Sequence, residues 1–180
     1  MTPLARMRQA NHNQHGVTLI ELLVVIVILA ITLSLALPSF NDTITRNRIA
    51  SQTNEILASI NLARSLAIQF NAQGGVCAAN NDQTACGANW ANGIIVWVDE
   101  DRSGGFTAGE VRRAARLDAA DQLTGGNSLI FNNRGQRVTP AAGNFDLSLR
   151  PVSCSAGEPF QRRIRVTLTG TTNQLKENCA

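Results

Sequence analysis

The sequence predicts an α+β fold, with one long N-terminal helix packed on an antiparallel β-sheet head. Three observations predict it. Between Glu21 and Asp42 there is no charged residue, so Leu22 to Asn41 is an unbroken uncharged run rich in Leu, Ile and Val. Beyond it Ile49, Ile56, Ile60, Ala63, Ala67 and Phe70 recur at spacings of 7, 4, 3, 4 and 3, which place them on one helical face. After Val76 the pattern changes to short apolar or alternating runs separated by Gly, Asn and Pro, the punctuation of strands and turns.

Residues 1–16 form a polar leader that carries Arg6 and Arg8 and no acid. Basic residues ahead of an apolar run favour retention of that end in the cytoplasm. Residues 17–41 are read as the first half of the helix. At about 1.5 Å per residue the charge-free run would reach roughly 30 Å, the thickness of a bilayer's hydrocarbon core. The expectation is therefore a single-pass inner-membrane helix with lipid around it and a periplasmic head. No small-residue cleavage site followed by a break appears after Leu37, so this half stays with the mature chain. Pro38 removes one backbone hydrogen bond and is a candidate kink. Residues 42–180 form the head, amphipathic helix to about residue 72 and β-rich thereafter. Arg46, Arg48, Glu55 and Arg64 fall off the apolar face. The face is too short and too poor in Leu to read as a coiled coil. Gly74 and Gly75 read as helix breakers.

In the head, Ile94 to Val98 is a continuous apolar run, a buried-type strand. Val111 to Leu117 and Leu129 to Phe131 are further candidates, the latter followed by a turn at Asn133-Arg134-Gly135. Phe145, Leu147 and Leu149 alternate with polar residues, as do Ile164, Val166 and Leu168, so both runs read as half-buried antiparallel strands. The loop Pro151 to Pro159 separates them.

Composition narrows the function. The only histidines are His12 and His15 and the only methionines Met1 and Met7, all in the leader, and the chain has no Tyr. Once the leader is removed, histidine-dependent triads and histidine metal sites are excluded. No serine has a histidine partner and no glycine-rich phosphate loop follows a strand, so an enzyme is not expected. Cys77, Cys86, Cys154 and Cys179 all lie in the head. An even number in an exported domain points to two disulfides. Three connectivities exist; Cys77–Cys86 with Cys154–Cys179 is favoured because each pair closes a local loop. Their spacings do not match zinc ligands.

The stretch Gly16-Val17-Thr18-Leu19-Ile20-Glu21-Leu22-Leu23 resembles the prepilin processing motif of type IV pilins and type II secretion pseudopilins. The resemblance implies cleavage after Gly16 by a prepilin peptidase and N-methylation of Val17, where the family usually has Phe. It implies that Glu21 pairs with the amine of a neighbouring subunit during filament assembly. A carboxylate embedded in an apolar helix costs on the order of 2.5–3.5 kcal/mol and needs such a partner; the plainer reading is an interfacial glutamate that snorkels. Pro38 fits the same family pattern. The long helix, the Ile-Ile-Val-Trp-Val-Asp-Glu-Asp stretch, the Phe-Asn-Asn-Arg-Gly stretch and a late Cys-containing segment resemble the GspH/FimT/FimU group. That implies a type IV pilin-like fold and a non-catalytic minor pilin that helps initiate or cap a type IV pilus. The alternatives are a GspH-like pseudopilin of the type II secretion system and a FimT-like DNA-uptake pilin. The implied partners are other pilins and minor pilins, and the implied location is the inner membrane and the filament.

Two constellations remain. Asp99, Asp101, Ser103, Gly104 and Glu110 fall at positions 1, 3, 5, 6 and 12 of an EF-hand-like loop, so calcium is the one candidate cofactor. Strand patterns rather than helices flank the loop, and a β-hairpin loop needs the same residue types for its turn. Residues 111–180 hold an excess of basic groups, nearly all arginine. Arg134, Arg137, Arg150, Arg162, Arg163 and Arg165 could bind DNA phosphates or a partner if they converge. The DNA-binding members of the family carry Gly-Arg-x-Arg in the C-terminal tail; here the matching place reads Gly170-Thr171-Thr172-Asn173.

Overall fold

The computed structural model describes residues 16–107 and 109–180, with residues 35–39 described in backbone only. The leader, including Arg6 and Arg8, lies outside the described residues apart from Gly16. The chain divides into two units, 1–41 and 42–180, and the boundary falls inside a single helix, α1 (Leu19–Gln69).

In the first unit Thr18 caps the helix start. Its Oγ1 accepts the Glu21 backbone N–H at 3.3 Å, and its carbonyl accepts Leu22 N–H at 3.2 Å. The Thr-x-x-Glu spacing is that of a capping box, and it places a carboxylate in the first turn, where the helix dipole favours it. The helical assignment runs through Pro38 without a break. Leu19 to Ser34 is exposed on every face.

One expectation is corrected here. Among the described residues no helix is long and apolar enough to cross a membrane. The apolar stretch with described side chains runs from Leu22 to Ser34. As a helix that is about 20 Å, against roughly 30 Å of hydrocarbon. The membrane-spanning half of the helix is therefore set aside, and with it the single-pass inner-membrane location and the lipid contact.

The second unit is α1 from Asp42 onward, packed on two antiparallel sheets. The first has strand order β3-β2-β1-β5-β6, built from β1 (Gly74–Ala78), β2 (Ile94–Val98), β3 (Val111–Ala115), β5 (Ser128–Phe131) and β6 (Arg137–Thr139). The second has order β4-β7-β8-β9, from β4 (Asp121–Gly125), β7 (Phe145–Pro151), β8 (Gln161–Val166) and β9 (Thr172–Glu177). A short 3-10 turn, Trp90–Asn92, precedes β2.

One core joins all three layers. Ile49, Ile56, Ile60, Ala63 and Ala67 are fully buried, as their helical spacing predicts, and they cluster with Val76, Val96 and Phe131 of the first sheet and Leu147, Leu149 and Ile164 of the second. Phe70, the last of that face, is 37% exposed, with the Arg112 guanidinium 5.6 Å from its ring centroid. Strand β2 is buried on both faces, which explains its unbroken apolar run. Ile94 and Val96 face the helix; Ile95 and Trp97 face a second cluster with Cys77 and Ala79, partly covered by Phe106, Val111 and Ile130.

Gly74 and Gly75 are not breakers but the first residues of β1, paired with Val98 and Trp97. A Cβ on Gly74 would lie 2.7 Å from the Ala63 carbonyl oxygen, and one on Gly75 would lie 2.7 Å from the Trp97 ring. Both contacts need a residue without a side chain, because helix, strand and indole share that space. Strands β4, β6 and β9 carry little apolar alternation, and the sequence pattern does not single them out. Leu168 lies beyond β8 and is exposed.

Candidate functional site

The N-terminal end of α1 gathers Gly16, Val17 and Glu21 within the first turn and its approach. Gly16 and Val17 precede the helix and are exposed, and a Cβ on Gly16 would meet nothing within 4 Å. The Gly16–Val17 position is thus exposed and uncrowded. Glu21 is exposed, and no described cation lies within ion-pair distance of it. Thr18 is the functional neighbour that the sequence reading passed over; the Thr-x-x-Glu spacing was the signal for it. From the cap onward the helix offers Leu19, Ile20, Leu22 and Leu23 to its surroundings, with Leu19 83% exposed. Exposed apolar area on this scale belongs to an interface. Pro38 is described in backbone only.

The acidic loop between β2 and β3 places ligand atoms of Asp99, Asp101 and Glu110 within 4.8 Å of one another. Asp99 Oδ1 accepts the Ser103 N–H at 2.9 Å and Asp99 Oδ2 accepts the Gly104 N–H at 3.0 Å. Glu110 accepts the Glu100 N–H at 2.9 Å through Oε1 and the Thr107 N–H at 2.7 Å through Oε2. Hydrogen bonds from Ser103, side chain first and then backbone, hold the Asp101 carboxyl below its ordinary value. These are the residues that could hold a hard cation, with the Ser103 hydroxyl turned to Asp99 at 3.3 Å. The same bonds make the loop self-supporting, and its Phe106 ring packs edge-on to Trp97 at 5.8 Å. Gly104, at φ +92°, needs the left-handed region that the turn demands.

The six arginines do not converge. Arg137 is buried and donates to the carbonyls of Pro140 and Gly143 and, at 3.4 Å, Thr167. Arg162 is buried too, bonded to the Pro159 and Gln161 carbonyls, and burial together with Arg46 lowers its pKa. Arg163 pairs with Glu177 at 3.0 Å and Arg165 makes a two-pronged pair with Asp146 at 2.8 and 3.0 Å. Arg150 bonds the Ala180 carbonyl at 3.0 Å. Only Arg134 is exposed with no acceptor for its side chain among the described residues. Arginine in strands reads as a cationic surface; here the strand register sets Asp146 opposite Arg165 and Glu177 diagonal to Arg163, which only the pairing of β7, β8 and β9 reveals.

The disulfides are Cys77–Cys86 and Cys154–Cys179. The first closes the polar loop onto the outer face of β1. The second ties the C-terminal end to the loop after β7.

A groove of about 620 Å³ opens between the Trp90 turn and β4. Beneath it Arg48 of α1 donates from Nε to both oxygens of Asp121 at 3.1 Å, while Asp121 has no exposed side-chain surface. Burial pushes the Asp121 carboxyl up, and the Arg48 hydrogen bonds pull it back only in part. The bonds to Asp121 raise the Arg48 guanidinium.

Known proteins align with this arrangement. The family model described as type II transport protein GspH matches residues 52–170. The model of the prokaryotic N-terminal methylation motif matches residues 11–37. The fold is similar to the crystal structure of the Pseudomonas aeruginosa type IV minor pilin FimU, with TM-score 0.54 and 17% identity over 71% of this chain and 88% of that one. A second crystal form of FimU gives TM-score 0.53 and 16% identity over 70% and 91%. The minor pseudopilin EpsH from the type 2 secretion system of Vibrio cholerae gives TM-score 0.48 and 17% identity over 72% and 97%. No curated protein sequence matches the chain.

Proposed function

The chain belongs to the GspH family of type II transport proteins, and from that premise we propose how it works as a non-catalytic, pilin-like subunit of a filament. The processed chain begins at Val17 after a prepilin peptidase cuts behind Gly16, and its new amine is then methylated. The first half of α1 docks among the equivalent helices of neighbouring subunits, and Glu21 pairs with the amine of one of them. The β-rich unit is what the filament displays, as a minor subunit that starts or caps the polymer. Residues 1–16, 17–41 and 42–180 then act as leader, filament-core helix and displayed head.

The observation that carries this reading is the all-round apolar exposure of α1 between Leu22 and Ser34, headed by one exposed carboxylate, Glu21. An apolar helix with no charged face gains stability only where other apolar groups cover it. A carboxylate inside such contacts needs a cation, and the cleaved amine supplies one. The reaction chemistry belongs to the peptidase; this chain's part is assembly.

The fold it shares with FimU favours a type IV pilus, and the family description favours a type II secretion pseudopilus. Deletion of the gene separates them: loss of twitching motility with secretion intact identifies the pilus, and the reverse the pseudopilus. A DNA-uptake role has no support from the placement of the arginines. The direct test of assembly is Glu21→Ala. The variant is expected to be cleaved normally and to enter filaments on the order of tenfold less, an ion-pair-sized effect of about 1.4 kcal/mol. Normal incorporation of the processed variant would remove the role assigned to Glu21.

A further inference from the structure

Three cations gather at one end of the second sheet with no acid to balance them. Arg162, near the start of β8, lies on the strand face that carries Ile164 and Val166 into the core, and it is 7% exposed. Its register partner on β9 is Lys176, which is exposed. Residues directly opposite in an antiparallel pair share a face, with Cβ atoms about 4.5–5.5 Å apart, and like charges there repel. Arg46 of α1 approaches from the helix side. Its guanidinium stands 5.6 Å from the centroid of the Phe160 ring, two residues before Arg162. Burial first, and then the charge of Arg46, lowers the Arg162 pKa.

A cation drawn out of water needs an anion beside it. Elsewhere in the head Arg48, Arg163 and Arg165 each have one, in Asp121, Glu177 and Asp146. Among the described residues Arg46, Arg162 and Lys176 make no ion pair. The acids of the adjoining segments do not serve them. Glu177 is bonded to Arg163, Glu158 accepts the Ser155 N–H at 2.8 Å, and Asp42, four residues before Arg46, makes no ion pair. The Arg162 guanidinium is also held in a particular pose. Its Nη1 donates to the carbonyls of Pro159 and Gln161 at 3.2 and 2.9 Å, which fixes the plane. Its Nε and Nη2 bond no described residue, and neither is sealed from solvent. Those two N–H groups form the edge of the fork that takes two oxygens of an oxyanion side by side. The segment behind it is braced: the Cys179 N–H donates to the Glu158 carbonyl and the Gly157 N–H to the Cys179 carbonyl, both at 2.9 Å, beside the Cys154–Cys179 bridge. A ligand would meet a donor edge that is already in place.

We propose that Arg46, Arg162 and Lys176 bind one doubly charged oxyanion of the phosphate class, which sets two oxygens on Nε and Nη2 of Arg162 and takes further charge from Arg46 and Lys176. The charge balance selects the class. A carboxylate would leave two of the three cations uncompensated, whereas a phosphate dianion leaves one. The site takes a single phosphate group rather than a polyanion, because the neighbouring Arg163 and Arg165 lie on the opposite face of β8 and are paired with acids. It uses no residue of the assembly end and does not rest on the filament role proposed above.

The test titrates the purified full-length protein with inorganic phosphate by calorimetry, against chloride at matched ionic strength, with melting curves alongside. One-to-one binding in the millimolar range or tighter is expected, with a Tm that rises as phosphate is added. Arg46→Gln and Lys176→Gln remove exposed cations, and each should weaken binding on the order of tenfold. Arg162→Lys keeps the charge but loses the fork, and should weaken it at least as much. Arg134→Gln, at an exposed arginine in the turn after β5, should leave binding unchanged. Without phosphate, the two glutamine variants should melt no lower than the parent, because each removes a repelling charge; a lower Tm in both overturns the claim that the cluster is uncompensated. Glycerol 1-phosphate bound as tightly as phosphate assigns the site to a phosphate carried on a larger molecule, and exclusion of the ester assigns it to the free ion. No binding at millimolar phosphate overturns the proposal. So does binding that both glutamine variants leave unchanged, equal weakening by Arg134→Gln, or acetate bound as tightly as phosphate. Phosphate binding is read independently of incorporation by Glu21→Ala, so the anion site and the assembly role fail separately.

Discussion

Replacing Arg48 with Met should expose how the helix is locked to the second sheet. Arg48 is the cation bonded to Asp121, reaching both carboxylate oxygens from one helix position. The Asp121 side chain is fully buried, while that of Arg48 keeps 27% of its surface in water. Removing the cation leaves a buried carboxylate without compensation, with exposed Asp118 adding repulsion. Breaking such a pair costs about 3–5 kcal/mol, and the partial exposure of Arg48 argues for the lower end, about 3 kcal/mol. The cost depends on pH with a definite sign. Burial raises the folded-state pKa of Asp121 above its unfolded value, and loss of Arg48 raises it further. A raised acid binds its proton more tightly when folded, so stability is recovered as pH falls through the folded pKa towards the unfolded value near 4. Urea unfolding followed by indole fluorescence at pH 8 and pH 5, with the parent protein at each pH, measures this. The difference between variant and parent should be large at pH 8 and shrink at pH 5, and Asp121→Asn in the Arg48→Met background should restore most of it at pH 8. An equal deficit at both pH values, or one below about 1 kcal/mol at pH 8, would refute the argument that an uncompensated buried charge sets the cost.

Other consequences follow from the same geometry. Gly75→Ala should cost about 1–3 kcal/mol by driving a methyl into the Trp97 ring, and calorimetric melting should show it. Ile60→Ala, at the centre of the buried helix face, should cost about 2–5 kcal/mol in chemical denaturation. Asp146→Asn should cost about 0.2–1 kcal/mol at neutral pH, because the pair with Arg165 is partly exposed. Arg165 holds the Asp146 carboxyl below its ordinary value, so that stabilisation is present above the unfolded pKa and lost as pH falls through the lowered folded one; parent and variant should converge in strong acid. Serine at both Cys154 and Cys179 should cost about 2–4 kcal/mol in reversible unfolding, since the bridge joins positions 25 residues apart.

The helix face was legible because 3.6-residue periodicity is a local property: Ile49, Ile56, Ile60, Ala63 and Ala67 line up whatever they meet. The buried strand Ile94–Val98 was legible for a similar reason, since an apolar run that long needs cover on both faces. Gly74 and Gly75 misled because glycine marks both chain breaks and close approaches, and only the position of Ala63 and Trp97 tells them apart. The span of the apolar helix misled because an uncharged run is a statement about composition, whereas crossing a bilayer needs a sufficient apolar length in one helix. The arginines misled because charge counts ignore strand register, and register sets Asp146 and Glu177 beside Arg165 and Arg163.

Sequence alone marked the end of this protein to which we assign the proposed assembly role. The roles proposed for Gly16, Val17, Glu21 and the apolar run rest on covalent neighbourhood and helical pitch, both of which are written in residue order. It also determined that residues 17–180 hold no histidine, so histidine-based catalysis is unavailable to that part of the chain. The tertiary structure alone decided what the head can do. It buried Arg137 and Arg162 and closed the acidic loop on its own amides. Those outcomes depend on which strands meet and on which residue stands opposite which, a long-range property to which local pattern contributes no information.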